Sequence, residues 1–205
     1  MRQRRKPWAM PYLEANPDVI KFNYQEIKPL KITDKFELEI GVGKGDFINL
    51  KAANNPKKIY YGIEAQPSVL AIAAKKAEAN QLPNLKLILG DAKYLGELLP
   101  KNKLERIYIN FPDPWPKARH EKRRLLAKPM LDVYKKLLTP EGLIIFKSDN
   151  QGLYDYSLVS LVENGYIIVD KSEDYQLVKD DFATEYETKF RKLGNPIYRI
   201  IAKRG

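Results

Sequence analysis

The stretch Phe36-Glu-Leu-Glu-Ile40-Gly41-Val-Gly-Lys-Gly45 alternates apolar and acidic residues over five positions and then meets three glycines at every second place. Alternation of this kind is the period of a strand, and the glycines free the backbone for a tight turn. Phe47, Ile48 and Leu50 begin a helical spacing that Asn54-Asn55-Pro56 ends. The same unit repeats outward. Residues 59–63 read as a strand ending at Glu64, and 67–80 as an Ala-rich helix with Val69, Leu70, Ala73, Ala74 and Ala77 on one face. Further strands are expected at 85–89, 104–109, 143–146, 166–169 and 197–202. Helices are expected at 93–98, from the Pro-rich loop through about 138, and at 151–164. Repeated strand–helix alternation predicts an α/β, Rossmann-like fold: a mostly parallel sheet of about seven strands with helices on both faces. Residues 1–35 are expected as a basic N-terminal arm and an irregular, extended or short-helical cover, and 36–205 as a single domain.

The 205 residues carry 36 Lys+Arg against 26 Asp+Glu, a net charge of +10, and the excess is local. Arg2, Arg4, Arg5 and Lys6 have no acid among them. Between 117 and 128, Lys117, Arg119, Lys122, Arg123, Arg124 and Lys128 face Glu121 alone, and the remaining residues are close to neutral. Clustered cations on a balanced chain suit a polyanionic partner, although a charge run taken alone also fits a solvated helix face. The lack of cysteine excludes disulfides, thiol nucleophiles and cysteine-ligated metals. One histidine, His120, leaves little room for a His-rich metal site or a Ser-His-Asp triad. No apolar run approaches the roughly 18 residues of a membrane span. The basic start leads into Pro7-Trp-Ala-Met-Pro11 rather than the apolar core of a secretory signal, so a cytoplasmic protein without membrane contact is expected.

In a parallel α/β sheet, ligands bind where the strands end. Gly41, Gly43 and Gly45 do not satisfy a dinucleotide fingerprint, because the third glycine comes one residue early, and Lys44-Gly45 fails the P-loop pattern. What gives the loop meaning is its company. Glu64, 23 positions after Gly41, can accept hydrogen bonds from vicinal ribose hydroxyls. Asp91 could reach an adenine amino group, and Glu39 could face an ammonium. Any one acid could merely flank a helix, but the set fits a nucleoside bearing cationic groups, such as S-adenosylmethionine.

Asn110-Phe-Pro-Asp-Pro-Trp-Pro-Lys117 holds one carboxylate among three prolines that stiffen the loop. Extended to Asn110-Phe-Pro-Asp-Pro-Trp-Pro-Lys-Ala-Arg-His-Glu-Lys-Arg-Arg124, it resembles the signature of bacterial tRNA (guanine-N7-)-methyltransferases. Glu39–Gly45 resembles their cofactor loop, and Ser148-Asp-Asn150 and Thr184-Glu-Tyr-Glu-Thr-Lys-Phe190 are similar to two later motifs of the family. With the N-terminal Arg-x-x-Lys-Pro-Trp, the resemblance spans almost the whole chain.

This resemblance implies a class I methyltransferase fold and methyl transfer from S-adenosylmethionine to N7 of a guanine in the variable loop of tRNA. It places Glu39, Gly41, Gly43, Glu64, Asp91 and Asp113 at the cofactor, with Asp113 also the catalytic candidate. Lys117, Asp149, Thr184, Glu185, Tyr186 and Glu187 would bind substrate. Capping offers another reading of the later motifs: Thr184-x-x-Glu187 is a capping box, and Asp149 or Asn150 could cap the next helix. Trp115, Phe111 and Tyr186 are candidates to stack on the base, and Arg123 and Arg124 to grip phosphates. The rivals are a catalytically silent RNA-binding module and a methyltransferase acting on a small molecule or an exocyclic amino group. A monomer or a homodimer is compatible with the sequence.

Overall fold

The computed structural model describes residues 5–21 and 27–205, so Arg2 and Arg4 of the basic arm lie outside the described residues. The opening alternation forms strand β2 (Phe36–Ile40), but both of its faces are buried. Phe36, Leu38 and Ile40 join an apolar core, while Glu37 is only 1% exposed. A charge at that depth persists when paired. Lys58 Nζ lies 2.6 Å from Glu37 Oε1, and the Tyr108 hydroxyl donates to Oε2 at 2.7 Å.

The remaining strands are β1 (Val19–Lys21), β3 (Tyr60–Glu64), β4 (Leu85–Leu89), β5 (Leu104–Asn110), β6 (Leu138–Ser148), β7 (Tyr166–Ser172) and β8 (Tyr198–Arg204). They form one sheet in the order β1-β4-β3-β2-β5-β6-β8-β7. All neighbouring pairs are parallel except β6 with β8 and β8 with β7. The sheet thus has eight described strands rather than about seven. The additional one, β1, is three residues long, too short for its periodicity to show in the sequence.

Helices cover both faces. On one side α1 (Ala9–Ala15), α2 (Asp46–Asn54) and α3 (Pro67–Ala79) close a core that contains Leu13, Ile48, Leu70 and Leu87. On the other, α4 (Leu95–Leu98), α5 (Lys128–Leu137) and α6 (Gln151–Glu163) enclose Ile107, Leu131, Tyr134 and Phe146. The basic segment expected as one helix through about 138 is instead a 3₁₀ turn, Ala118–Arg123, followed by α5. Pro129 suits the first turn of α5 but cannot donate within a continuing helix. The last helix, α7 (Glu185–Lys192), was marked in the sequence only by its capping residue. β6 runs well beyond the expected 143–146, pairing with β5 from Leu138 and with β8 up to Ser148.

Candidate active site

From β2 the chain builds outward through β3 and β4, then crosses to β5 and β6 on the other side. Connections leaving β2 and β5 therefore diverge and open a crevice at the carboxyl ends of these strands. A cleft of ≈ 990 Å³ lies there, with Glu39 and Asn110 in its lining. Glu39 is 1% exposed, and Asn110 Nδ2 donates to its Oε1 at 2.9 Å. The other oxygen of Glu39 and the Asn110 Oδ1 are buried and have no hydrogen-bond partner. Buried polar atoms left without partners are costly unless a ligand supplies them. These two fit the ammonium of the expected cofactor. Burial pushes the Glu39 carboxyl up to about 8, against the Asn110 hydrogen bond and the nearby Lys147 ammonium, with Glu64 adding to the rise.

The glycine loop forms the next wall. Gly41 and Gly43 have φ of 78° and 55°, and a Cβ on either would meet nothing within 4 Å, so they face open space. Gly43 N–H donates to Glu64 Oε2 at 3.1 Å and Gln66 N–H to Oε1 at 2.8 Å, which fixes the Glu64 carboxylate at the end of β3. Burial raises the Glu64 carboxyl, and these backbone donors oppose the rise. Arg5 and Lys6 also line the cleft, since the Lys6 N–H donates to Ser68 Oγ at 2.9 Å and docks the N-terminal segment on α3.

Asp113 reaches the same cleft from the opposite side. Its loop leaves β5 through Phe111 at φ 51° and turns again at Trp115, φ 43°. Left-handed backbone at a non-glycine residue costs about 1–3 kcal/mol, and it persists where the surroundings hold it. Here Arg124 does so, donating from Nε to Pro114 O at 3.2 Å and from Nη2 to Trp115 O at 3.1 Å. Arg124, a candidate phosphate grip in the sequence, thus also clamps the loop.

α7 closes the cleft from above. Thr184 Oγ1 accepts the Glu187 N–H at 2.9 Å, half of the capping box, while the Glu187 side chain turns inward. Thr184, Glu185 and Tyr186 line the cleft. The Tyr186 ring lies 5.2 Å from Phe111 and stacks on Phe190 at 4.3 Å. Burial and the Asp149 carboxylate, 3.5 Å from its hydroxyl, raise the Tyr186 pKa. Lys44 of the glycine loop reaches Glu185 Oε1 at 2.7 Å across the mouth.

The structure therefore brings together Glu39, Gly41, Gly43, Glu64, Asp113, Thr184, Glu185 and Tyr186. Four other residues of the expected set do not line the cleft. Asp91 caps the 3₁₀ turn Ala92–Tyr94 by accepting the Lys93 N–H at 3.0 Å. Lys117 is exposed at the start of the basic turn, and Asp149 accepts the Tyr186 hydroxyl at 3.5 Å. Glu187 is fully buried against Lys147 and Arg191. The sequence reading did not single out Asn110 or Lys147, which the structure places beside Glu39 and beneath the start of α7. Asn110 opens the Pro-rich motif and Lys147 ends an apolar strand, which were the available signals.

A family model described as "Putative methyltransferase" matches residues 33–200. A tRNA (guanine-N(7)-)-methyltransferase of Geobacillus sp. is 45% identical over 213 residues, covering 99% of this chain and 96% of that protein. The protein of the same name from Latilactobacillus sakei is 40% identical over 215 residues, covering 98% and 99%. Among solved structures, an antibiotic-related methyltransferase superposes with a TM-score of 0.61 at 23% identity, over 85% of this chain and 96% of its own, a likeness of fold. The fold, the strand-end acids and the full-length likeness agree: the chain belongs to the tRNA (guanine-N(7)-)-methyltransferase family.

Proposed function

We propose that this chain transfers a methyl group from S-adenosylmethionine to N7 of a guanine in the variable loop of tRNA. The observation that carries the reading is the convergence of Asp113 with Glu39 and Glu64 on one cleft, next to the Phe111–Tyr186 ring pair. Glu39 and Asn110 would hold the ammonium, Glu64 the ribose, and Gly41 and Gly43 would let the backbone approach. When bound, S-adenosylmethionine supplies an electrophilic methyl group next to a sulfonium. Guanine N7 has a free lone pair, so no proton must leave first, and a site without a histidine base is adequate. His120 lies against Trp115, 5.6 Å between ring centroids, and does not line the cleft.

Asp113 has two roles open to it: stabilising the positive charge that develops on the purine, or anchoring the donor edge of the guanine. Both require its charge. The Asp113→Asn variant is expected to lose about 10²-fold or more in single-turnover transfer, the scale at which preorganised electrostatic groups act. Wild-type rate in that variant would exclude both roles. The broader test is labelled S-adenosylmethionine with unmodified tRNA, followed by mapping of the modified base. Label on N7 of a variable-loop guanine is expected, whereas label on an adenine, on protein or nowhere overturns the reading.

A further inference from the structure

We infer that Lys147 is a positioning residue that holds the Asp113 loop and the Tyr186 helix in register across the cleft. The inference rests on the function proposed for this cleft, in which the guanine is engaged between those two elements. Lys147 lies near the end of β6, with its side chain 1% exposed. Its backbone carbonyl accepts the Phe111 N–H at 2.8 Å, at the left-handed residue where β5 gives way to the Asp113 loop. Its ammonium reaches the other wall. Nζ lies 2.6 Å from Asp181 Oδ2 and 3.4 Å from Glu187 Oε2, on the first turn of α7 and one residue after Tyr186.

Both acids are tied further. The second oxygen of Glu187 accepts from Arg191 Nε and Nη2 at 3.0 and 2.6 Å, and Asp181 Oδ2 accepts the Tyr175 hydroxyl at 2.7 Å. Burial alone would raise the Asp181 carboxyl, yet the Lys147 ammonium and these hydrogen bonds bring it below its ordinary value. The cluster is neutral, two cations against two anions, packed among Phe47 and Tyr175. One residue thus fixes Phe111 through its main chain and the start of α7 through its side chain, and the two rings it sets meet at 5.2 Å.

A need for stability alone would not select this arrangement. Buried ion pairs are commonly no more stabilising than apolar residues of the same volume, because desolvation offsets the attraction. What an ion cluster adds over an apolar contact is a defined direction. With Glu187 drawn inward, the neighbouring Tyr186 is turned toward the cleft, since successive helical residues project about 100° apart.

The test uses Lys147→Met alone and paired with Asp181→Asn; the pair restores neutrality, so that folding is retained. For the pair, the tRNA Kd and the calorimetric binding of S-adenosylhomocysteine are expected to stay within about threefold of wild type, the latter measured well above the Glu39 pKa, where loss of the Lys147 charge no longer alters the ionisation of Glu39. Single-turnover methyl transfer should fall at least about tenfold, since misplacing reacting groups by about 1 Å can cost about 10²-fold. Amide exchange in residues 185–192, measured without tRNA, should accelerate. Wild-type transfer by the paired variant overturns the inference, as does a loss of rate matched by an equal weakening of S-adenosylhomocysteine binding. Failure of the wild-type protein to methylate tRNA would overturn the functional reading instead, and the exchange measurement stands apart from it.

Discussion

Glu39 is the residue at which sequence, burial and chemistry meet most directly. Alternation in the opening stretch places it on the face of β2 opposite Leu38, and the covered sheet then removes it from water. Burial moves its carboxyl up to about 8, with Glu64 and Asp46 adding to the rise and Asn110 and Lys147 opposing it. Without a cationic ligand, Glu39 is therefore largely protonated at neutral pH. The folded pKa lies above the unfolded value, so this group's contribution to stability is full below about 4.5 and is lost as pH rises through about 8. Ligand affinity should run the other way. An ammonium favours the carboxylate, so binding of S-adenosylhomocysteine should strengthen as pH rises toward 8 and should release a proton. Calorimetry in buffers of different ionisation enthalpy reads that proton directly, and Glu39→Gln should remove it. Affinity that stays flat between about pH 6 and 9 would show that Glu39 does not meet the ammonium.

At the scale of elements, the three glycines divide into two kinds. Gly41 and Gly43 border the cleft, whereas a Cβ on Gly45 would lie 2.5 Å from Ala73 Cβ and 3.0 Å from Asn49 Nδ2. Gly45, at φ 80°, is thus the point where α2 starts in contact with α3. Gly45→Ala should destabilise the protein by about 2–5 kcal/mol, combining left-handed strain with overpacking, and Gly43→Ala by only about 1–2 kcal/mol. Urea unfolding of both variants checks the order; equal losses would mean that α3 yields. From 36 to 110 the elements were legible within a residue or two, because each strand and helix carries its own period and its own stop signal. Beyond the Pro-rich loop legibility falls. α5 passes into β6 without a loop, so no turn residue marks the change at Leu138. In 173–192 the determinants are contacts distant in sequence, Lys147 with Asp181 and Glu187, which no local pattern reveals. The acids of the site were legible as strand ends. That Asp91 caps a 3₁₀ turn and Glu187 joins a buried ion pair was not, since a ligand contact would use the same residue types.

Across the whole molecule, opposite charges are kept apart by the same crevice. Glu39, Glu64 and Asp113 face its interior, and Arg5 and Lys6 border it on the α3 side. Past the Asp113 loop, Lys117 and Arg119 are exposed on the basic turn, and the Arg123 guanidinium lies 4.9 Å from the Trp115 ring. The acids suit a cationic ligand within, while cations on both rims suit a polyanion lying across the mouth. A tRNA that spans the cleft must touch both rims, which separates this arrangement from docking on the basic turn alone. Removing one cation that neutralises a phosphate should lower the slope of log K against log salt by roughly 0.7–0.9. Arg5→Ala with Lys6→Ala, and Lys117→Ala with Arg119→Ala, should therefore each flatten the salt dependence of tRNA binding. Arg124→Ala is the control: its guanidinium is engaged with Pro114 and Trp115, so the variant should slow methyl transfer while leaving the slope unchanged. Filter binding over a range of salt concentrations gives all three slopes. A flattened slope for the Lys117 and Arg119 pair alone would place the tRNA on one rim, and would leave Arg5 and Lys6 as a wall of the cofactor cleft only.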